Sequence, residues 1–203
     1  PKVDFIELEA DTYWKNVKNA IDIVLSESKI AASKIISITC TTQGETFIPI
    51  GKDGKTLSTA IVWLDSRAKS EAEEISKNFD KKVIYSTTGL PEINGYCPVA
   101  KILWMKNNLP ALYNETYKFL LLEDYLIFKF CGKFVTNPSL MCSTGYFNIK
   151  TDKLWDDMLE FCCISPDKFP KIVPSGSVVG EILPEIASDL KLSPKTKITT
   201  GAM

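Results

Sequence analysis

Two short clusters of polar and aromatic side chains, each directly after a strand-like run, are the residues of this sequence best suited to chemistry. They are residues 41–46 (TTQGET) and residues 63–67 (WLDSR). In open α/β sheets, ligands bind at the ends of strands and in the loops just beyond them. The Glu45 carboxylate follows the first strand, and the Trp63 indole and the Asp65 carboxylate follow the next. Carboxylates accept hydrogen bonds from hydroxyls and a flat ring packs on carbon atoms, so the clusters suit a small polyhydroxylated molecule.

The composition is that of an ordinary globular protein and argues against two classes of function. The 203 residues, 45% apolar and 24% charged, are enough for one large domain or at most two small ones. The net charge is −1 and the Lys and Arg residues form no stripe, so we expect no nucleic-acid binding. Apolar runs such as residues 119–122 are far too short to span a membrane, so we expect no membrane partner.

The sequence has six cysteines without a Cys-x-x-Cys pair, and it has no histidine. Several cysteines lie in apolar stretches, so we expect reduced, mostly buried thiols in a cytoplasmic protein. Without histidine, this segment offers neither Ser-His-Asp nor Cys-His catalysis, and proton transfer would fall to a carboxylate, Lys or Tyr. The cysteines are Cys40, Cys97, Cys131, Cys142, Cys162 and Cys163.

Helix and strand patterns alternate around the two clusters, so we expect a mixed α/β fold. A helix that begins near Asp11 has apolar residues spaced three, four and three apart, which predicts one buried face. The first strand is a β-branched run and should be buried, and the Asp53-Gly54 turn favours antiparallel pairing of the next two. A helix capped by Asp65 or Ser66 should follow. The expected strands are residues 35–41, 46–50 and 59–63.

Proline and glycine mark boundaries in the second half of the chain. Pro98 suits the first turn of a helix that ends before Pro110, and Gly132 suits the position just past the end of another helix. Residues 171–180 are rich in Pro, Gly and Ser, which predicts an irregular surface connection. The other expected elements are a strand at residues 119–122, helices at 123–131 and 154–163, and a strand at 197–200.

Several short motifs, in a fixed order, resemble those of the FGGY family of carbohydrate kinases, the xylulose, gluconate and glycerol kinase group. Residues 41–43 (TTQ) resemble the family's Ser/Asn-x-Gln element. Residues 60–67 (AIVWLDSR) are similar to its Ala-Ile-x-Trp-x-Asp-x-Arg signature. Residues 88–91 (TGLP) and 101–104 (KILW) are similar to its Thr-Gly-x-Pro and Lys-x-x-Trp segments. Each match alone is weakly specific, whereas this many in order along nearly the whole chain indicate membership.

The resemblance implies a fold and a place within a larger protein. Family members fold as two ribonuclease-H-like domains of the actin and hexokinase type, with sugar and ATP in the cleft between them and Mg²⁺ assisting the transfer. Residues 1–203 would be most of the N-terminal, sugar-binding domain, a mixed sheet flanked by helices without its first hairpin. That phosphate-binding hairpin and the C-terminal nucleotide domain would lie outside these residues. Family members are often dimers or tetramers, so a homodimer is an expectation by analogy.

The resemblance also implies substrate-binding residues. Glu45 lies where glycerol kinases have a substrate-binding Glu and xylulose kinases a His. Trp63 matches the tryptophan that walls the polyol, and Asp65 matches the signature Asp beside it. Tyr96 aligns with an aromatic substrate residue of the glycerol kinases. The expected ligand is therefore a small-molecule sugar.

Two residues beside Glu45 complete the expected substrate site. Gln43 belongs to the family's Ser/Asn-x-Gln element and either contacts the substrate or only ties loops together. Gly44 departs from the glycerol kinases, which have there an Arg that clamps the polyol. The loss of that Arg argues against glycerol and leaves room for a longer sugar, for which a xylulose-like pentulose is favoured.

The catalytic base is expected outside these residues. The family uses an Asp that follows a Gly-Ala-x turn, and here residues 201–203 form that turn, so the base should come immediately after Met203. The hairpin for the ATP phosphates should precede Pro1. Phosphoryl transfer depends mainly on positioning and on charge stabilisation. We therefore expect no catalytic residue, no tightly bound cofactor and no turnover in residues 1–203 alone.

Simpler explanations and other functions stay open at this point. Glu45 could be an exposed acid, Trp63 could be core, and Asp65 could only cap a helix. Arg67 should pair with an acid or with the helix surface rather than with a ligand. The whole protein could instead act on a different polyol or sugar acid, or be a catalytically inactive sugar-binding or regulatory relative. If the family match misleads, an α/β scaffold that acts through partner contacts also fits. An Asp after Met203 would favour a kinase, and an Asn or apolar residue a binder.

Overall fold

The computed structural model describes residues 4–203, which form nine α-helices, two 3₁₀ helices and eleven strands. The α-helices are α1 (Ala10–Ser28), α2 (Lys69–Asn78), α3 (Lys81–Thr88), α4 (Pro98–Asn108), α5 (Pro110–Glu115), α6 (Leu122–Cys131), α7 (Pro138–Met141), α8 (Asp156–Phe161) and α9 (Pro184–Asp189). The strands are β1 (Glu7–Leu8), β2 (Ser37–Thr39), β3 (Phe47–Ile50), β4 (Ala60–Ile61), β5 (Lys118–Leu121), β6 (Val135–Thr136), β7 (Phe147–Asn148), β8 (Lys153–Leu154), β9 (Lys171–Ile172), β10 (Val178–Glu181) and β11 (Lys197–Thr199). The 3₁₀ helices are Ala32–Lys34 and Pro166–Lys168.

The strands form two main sheets. The first has four antiparallel strands in the order β1-β4-β3-β5. The second has three strands in the order β10-β11-β2, of which β11 and β2 run parallel. Two small pairs, β6 with β9 and β7 with β8, lie outside these sheets. The parallel pair brings the residues near position 40 and the residues near position 200 side by side.

Strand β3 is buried on both faces and separates two hydrophobic clusters. Phe47 packs in one cluster, with α2 and α4, whereas Ile48 and Ile50 pack in the other, with α1 and α6. Successive side chains of a strand point to opposite faces of the sheet. A strand with every residue buried must therefore be covered on both sides, and the four-stranded sheet lies between two layers of helices.

The structure confirms the mixed α/β fold and most of the predicted elements. Helix α1 begins one residue before Asp11, and α4 begins at Pro98 and ends before Pro110. Gly132 ends α6 with a φ of 70°, the left-handed conformation that glycine adopts without strain. Gly54 has a φ of 79° in the turn after β3, and β3 and β4 are antiparallel, as the Asp-Gly turn predicted.

Two predictions near the start of the chain were wrong. The run at residues 35–41 forms only the short β2, and Ile36 is 80% exposed, because β2 pairs with β11 alone among the described strands. Helix α2 begins at Lys69 and is preceded by Ala68, which makes no side-chain cap. Asp65 does not cap α2 because its carboxylate is bound elsewhere. In both places the local preference of the residues, for a long strand and for a helix cap, was overridden by contacts with distant parts of the chain.

Three further differences lie in regions of turns. Helix α3 was not predicted, although Asp80 caps its start and Gly89 ends it. The predicted helix at residues 154–163 is only the short α8, preceded by β8. The connection at residues 171–180 contains β9 and most of β10, because both pair with strands that are distant in the sequence.

Two findings bear on the expectations from composition. All six cysteines are free thiols, and Cys97, Cys131 and Cys162 are buried. Within residues 4–203, no helix combines the length and the apolarity needed to cross a membrane.

Candidate functional site

Three of the predicted residues, Glu45, Trp63 and Tyr96, line one hollow of about 390 Å³. The register of the central sheet brings the first two together, because Phe47 of β3 lies opposite Ile61 of the antiparallel β4. Glu45 comes two residues before Phe47 and Trp63 two residues after Ile61, so both lie beyond the same end of this antiparallel strand pair. The full lining is Glu45, Trp63, Leu64, Leu90, Pro91, Glu92, Asn94, Tyr96 and Cys97. The volume is within the usual range for small-molecule sites.

Glu45 has a strained backbone and a half-buried side chain. Its φ is 62°, in the left-handed region that residues other than glycine adopt at a cost of about 1–3 kcal/mol. The Thr46 N–H donates to the Gly44 carbonyl at 2.7 Å and closes this tight turn. Burial raises the pKa of the Glu45 carboxyl, and the nearby Lys101 ammonium partly offsets that rise. Strain and partial burial both argue against the simpler explanation, an exposed acid at a strand end.

Trp63 presents its indole to the hollow instead of packing it in the core. The residue is 42% exposed, so the core explanation for this tryptophan is wrong. Its backbone is nevertheless fixed on two sides. The Trp63 N–H donates to Thr46 Oγ1 at 2.9 Å, and its carbonyl accepts from Lys101 Nζ at 3.3 Å. A held backbone with a free ring face is an arrangement suited to stacking against the carbon atoms of a ligand.

Gln43 ties loops together, and Thr46 is the residue through which it does so. Gln43 Nε2 donates to Thr46 Oγ1 and to the hydroxyl of Tyr13, each at 2.9 Å. Thr46 Oγ1 therefore accepts two hydrogen bonds, one from Gln43 and one from the Trp63 N–H. Gln43 does not line the hollow, so a direct contact between Gln43 and a ligand stays a prediction. No local pattern singled out Thr46 beyond its place in a polar cluster.

Asp65 does not line the hollow and is fully buried. Its Oδ2 accepts from the Ile6 N–H at 2.6 Å and from Arg67 Nη2 at 2.7 Å, and its Oδ1 accepts from Arg67 Nε at 2.9 Å. The prediction that Arg67 pairs with an acid is confirmed, and its guanidinium also lies 4.0 Å from the ring centroid of Phe5. The geometry favours a role for Asp65 in fixing the loop after β4 over the predicted contact with a ligand.

Gly44 places the turn at residues 201–203 beside the Glu45 loop. A Cβ built on Gly44 would lie 2.5 Å from Met203 Sδ and 3.2 Å from Ser143 Oγ. Met203 is held in turn by Ser139, whose Oγ accepts from the Met203 N–H at 3.0 Å. The space that a larger residue at position 44 would need is thus occupied by Met203. Sequence alone did not indicate that these two residues meet.

The hollow carries negative charge on its lining and no Lys or Arg. Glu45 and Glu92 line it, together with the amide of Asn94 and the ring of Tyr96, which is 44% exposed. A ligand with hydroxyl donors is favoured by two carboxylates, whereas an anionic ligand would be repelled at close range.

Lys101 on α4 was not singled out as a site residue. It does not line the hollow, but its ammonium binds the backbone of Trp63, which does. It is fully buried, and its Nζ donates to the Val62 carbonyl at 3.0 Å and to the Trp63 carbonyl at 3.3 Å. Burial lowers the pKa of this ammonium to about 8, while Asp65 and Glu45 act in the opposite direction. The available signal was one charged residue within an otherwise apolar run, residues 98–105.

A second concavity, of about 310 Å³, is an apolar groove between α1 and the region of β2. It offers almost no polar group with which to orient a hydroxylated ligand, so we do not assign the site to it. The groove is lined by Val17, Ala20, Ile21, Val24, Leu25, Ile35, Ile38, Thr39, Cys40 and Leu192. Among residues 4–203, no three His, Cys, Asp or Glu side chains are arranged to hold a metal ion.

Comparison with known proteins places these features in one family. The sequence profile of the FGGY family of carbohydrate kinases, N-terminal domain, matches residues 1–203. A xylulose kinase from Staphylococcus xylosus is 24% identical over 99% of this chain and 41% of its own length. A glycerol kinase from Thermococcus gammatolerans is 31% identical over 89% of this chain and 37% of its own length.

A solved structure gives the same result for the fold. The ligand-bound xylulose kinase of Lactobacillus acidophilus superposes with a TM-score of 0.90 at 29% identity, covering 99% of this chain and 40% of that one. The present chain therefore spans about two fifths of the length of the relatives it matches. The predicted ribonuclease-H-like fold is confirmed, since its structural neighbours are kinases of this kind.

Proposed function

This chain belongs to the FGGY family of carbohydrate kinases, and from that premise we propose that it forms the sugar-binding part of an ATP-dependent kinase. The whole protein transfers the γ-phosphate of ATP to a hydroxyl of a small neutral sugar. The observation that supports this proposal is that Glu45, Trp63 and Tyr96 line one hollow, beyond the ends of strands β3 and β4 of the four-stranded sheet.

Each of these side chains has a distinct task in holding a sugar. The Glu45 carboxylate accepts hydrogen bonds from sugar hydroxyls, and a charged acceptor makes stronger bonds than a neutral one. The Trp63 indole packs against the carbon face of the sugar, and the Tyr96 ring forms another part of the lining. Together they orient one hydroxyl for transfer, which is the main contribution that positioning makes to this reaction.

The charge and shape of the hollow favour a neutral sugar longer than glycerol. The two acids of the lining, Glu45 and Glu92, would repel the carboxylate of a sugar acid such as gluconate. A volume of about 390 Å³ exceeds what a three-carbon polyol needs, and Gly44 offers no side chain to clamp such a polyol. We propose a xylulose-like pentulose as the substrate class.

ATP and Mg²⁺ are proposed to act from parts of the protein outside these residues. ATP supplies the phosphoryl group when bound, and the described residues form no cluster of His, Cys, Asp or Glu able to hold Mg²⁺. We propose that the residue after Met203 is the base that takes the hydroxyl proton. Its place is supported by Met203 Sδ, which lies 2.5 Å from the position of a Cβ on Gly44, next to Glu45.

The domain organisation is also part of the proposal. Strand β2 pairs only with β11 among the described strands, and the apolar groove beside it leaves Val24 62% exposed. An unpaired strand edge next to an apolar surface is unfavourable in water. We propose that another strand of the whole protein, the phosphate-binding hairpin, covers this edge.

The test is a coupled ADP-release screen of the whole protein against pentuloses, hexonates and polyols. We expect turnover with a neutral pentulose, little with sugar acids, and none by residues 1–203 alone. Sugar binding without ADP release would indicate an inactive sugar-binding relative instead. Absence of both sugar binding and turnover, or phosphorylation by residues 1–203 alone, would contradict the proposal.

A further inference from the structure

Lys101 is a buried cation that binds the backbone of the loop carrying Trp63, one of the proposed sugar-binding residues. It lies on α4, is fully buried, and does not line the hollow. We propose that Lys101 is a positioning residue for the sugar site, whose ammonium fixes the Val62–Trp63 segment and keeps Glu45 able to accept hydrogen bonds. This inference rests on the proposed function for its effect on sugar handling.

The first part of the argument is geometric. A buried lysine is rare unless its charge is paired or bound, because taking an ammonium out of water is costly. Here Nζ donates to two successive carbonyls, those of Val62 and Trp63, at 3.0 and 3.3 Å. The Thr46 hydroxyl holds the N–H of Trp63 at 2.9 Å from the other direction. The indole can therefore stay exposed while its backbone is clamped between Thr46 and Lys101.

The second part of the argument is electrostatic. Glu45 and Asp65 favour the charged form of Lys101, and Arg67 opposes it. Asp65 is already matched by Arg67 through a buried ion pair, with 2.7 Å between Oδ2 and Nη2. Glu45 has no ion pair among the described residues, so Lys101 is the cation whose field acts on it.

The other titratable groups around Glu45 do not supply this charge. The thiols of Cys97 and Cys142 face Glu45, and burial raises the pKa of both, to about 11 for Cys97, so they are neutral. Glu92 shares the lining and carries the same sign as Glu45. Removing the ammonium of Lys101 therefore leaves the Glu45 carboxyl more easily protonated, which weakens its capacity to accept hydrogen bonds.

The chain offers a matched control on the same helix. Lys106 also lies on α4, and its Nζ donates to two successive carbonyls, those of Cys162 at 2.8 Å and Cys163 at 3.0 Å. It has no part in the hollow. Lys106→Met removes the same kind of interaction from the same helix without touching the proposed sugar site.

The experiment compares Lys101→Met, Lys101→Arg and Lys106→Met in the whole protein. For Lys101→Met we expect the sugar KM to rise at least tenfold while the ATP KM stays within twofold. The acidic limb of the sugar kcat/KM profile should move to higher pH, because the pKa of the Glu45 carboxyl rises when the nearby cation is removed. Lys101→Arg keeps the charge and should keep the position of this limb, and Lys106→Met should match the wild type in both respects.

A second measurement does not depend on turnover. Hydrogen exchange of the peptide that covers residues 60–67 should be faster in Lys101→Met than in the wild type and unchanged in Lys106→Met. Unchanged exchange together with an unchanged sugar KM would overturn the inference, as would equal effects of the two Met variants. A wild-type protein that phosphorylates no sugar would defeat the proposed function, while the exchange data would still decide whether Lys101 holds the Trp63 segment. If Lys101→Met does not fold, Lys101→Arg decides: normal exchange at residues 60–67 with a shifted acidic limb overturns the electrostatic role.

Discussion

The backbone N–H of Trp63 donates a hydrogen bond to Thr46 Oγ1 at 2.9 Å, and this bond joins the two loops that carry the proposed sugar ligands. Thr46 is fully buried, and its hydroxyl also accepts from Gln43 Nε2 at 2.9 Å. Both lone pairs of the hydroxyl are thus in use. The relative position of the Glu45 carboxylate and the Trp63 indole depends on one small side chain that contacts neither the hollow nor solvent.

Replacing Thr46 by Val should uncouple the two loops. Valine has the shape of threonine but no acceptor, so the Trp63 N–H loses its partner and the Gln43 amide keeps only its hydrogen bond to the Tyr13 hydroxyl. We expect a loss of about 1–3 kcal/mol in the free energy of unfolding and a higher sugar KM. Thr46→Ser keeps the hydroxyl and serves as the control in denaturant melts and steady-state kinetics. Equal sugar KM values for the Val variant and the wild type would show that the loops are held by other contacts.

Replacing Glu45 by Gln should weaken sugar binding far more than ATP binding. A hydrogen bond to a charged acceptor contributes about 1.5–3 kcal/mol, which corresponds to roughly a tenfold to hundredfold rise in the sugar KM. Glu27→Gln, an exposed change on α1, is the control. A sugar KM within twofold of the wild type in Glu45→Gln would remove Glu45 from the site.

The pH dependence of sugar binding follows from the same residue. Burial raises the pKa of Glu45 above its ordinary value, and only the ionised form is a pure acceptor. As pH falls through this raised pKa, the carboxyl gains a proton and sugar binding weakens, so the sugar KM should rise on the acidic side. Titration of the sugar KM against pH measures the limb. Its persistence in Glu45→Gln would assign it to another group.

Replacing Asp65 by Asn should damage folding more than sugar recognition. The change breaks a buried ion pair with Arg67, although Glu7 still contacts the guanidinium, with 2.5 Å between Oε1 and Nη2. We expect a loss of about 3 kcal/mol in stability. The sugar KM of the folded fraction should rise less than in Glu45→Gln. The opposite order, a near-normal melting temperature with a strongly raised sugar KM, would restore Asp65 as a direct ligand.

Replacing Gly201 by Ala should prevent correct folding around the turn at residues 201–203. A Cβ at this position would lie 1.9 Å from the Cys40 carbonyl oxygen, and a backbone atom cannot move aside as a side chain can. We expect a loss above about 4 kcal/mol, seen as loss of soluble protein or a large fall in melting temperature. Gly180→Ala, whose Cβ would have ordinary contacts from 3.7 Å, is the control. A normal melting temperature for Gly201→Ala would mean that β2 and β11 can separate at no cost.

Much of this molecule was predictable from local sequence because local physics decides it. The Asp53-Gly54 turn, Pro98 at the start of α4 and Gly132 after α6 each depend on backbone preferences of the residue itself. The motif at residues 60–67 also predicted that Trp63 faces a pocket, and Trp63 lines the hollow. Glu45 and Trp63 were named from their place after strand-like runs and from the family resemblance, and Tyr96 from the resemblance alone. The structure places all three on the lining of one hollow.

The sequence by itself thus determined the family, the mixed α/β character and three of the side chains that line the hollow. Only the tertiary structure decided what holds them there. Asp65 was expected to contact a ligand but is bound by Arg67. Lys101 binds two carbonyls that lie 38 and 39 positions away, and Thr46 binds an N–H that lies 17 positions away. The physical reason is that a buried polar group must find its partner wherever the fold places one. That choice is made by packing, which no local pattern of residues records.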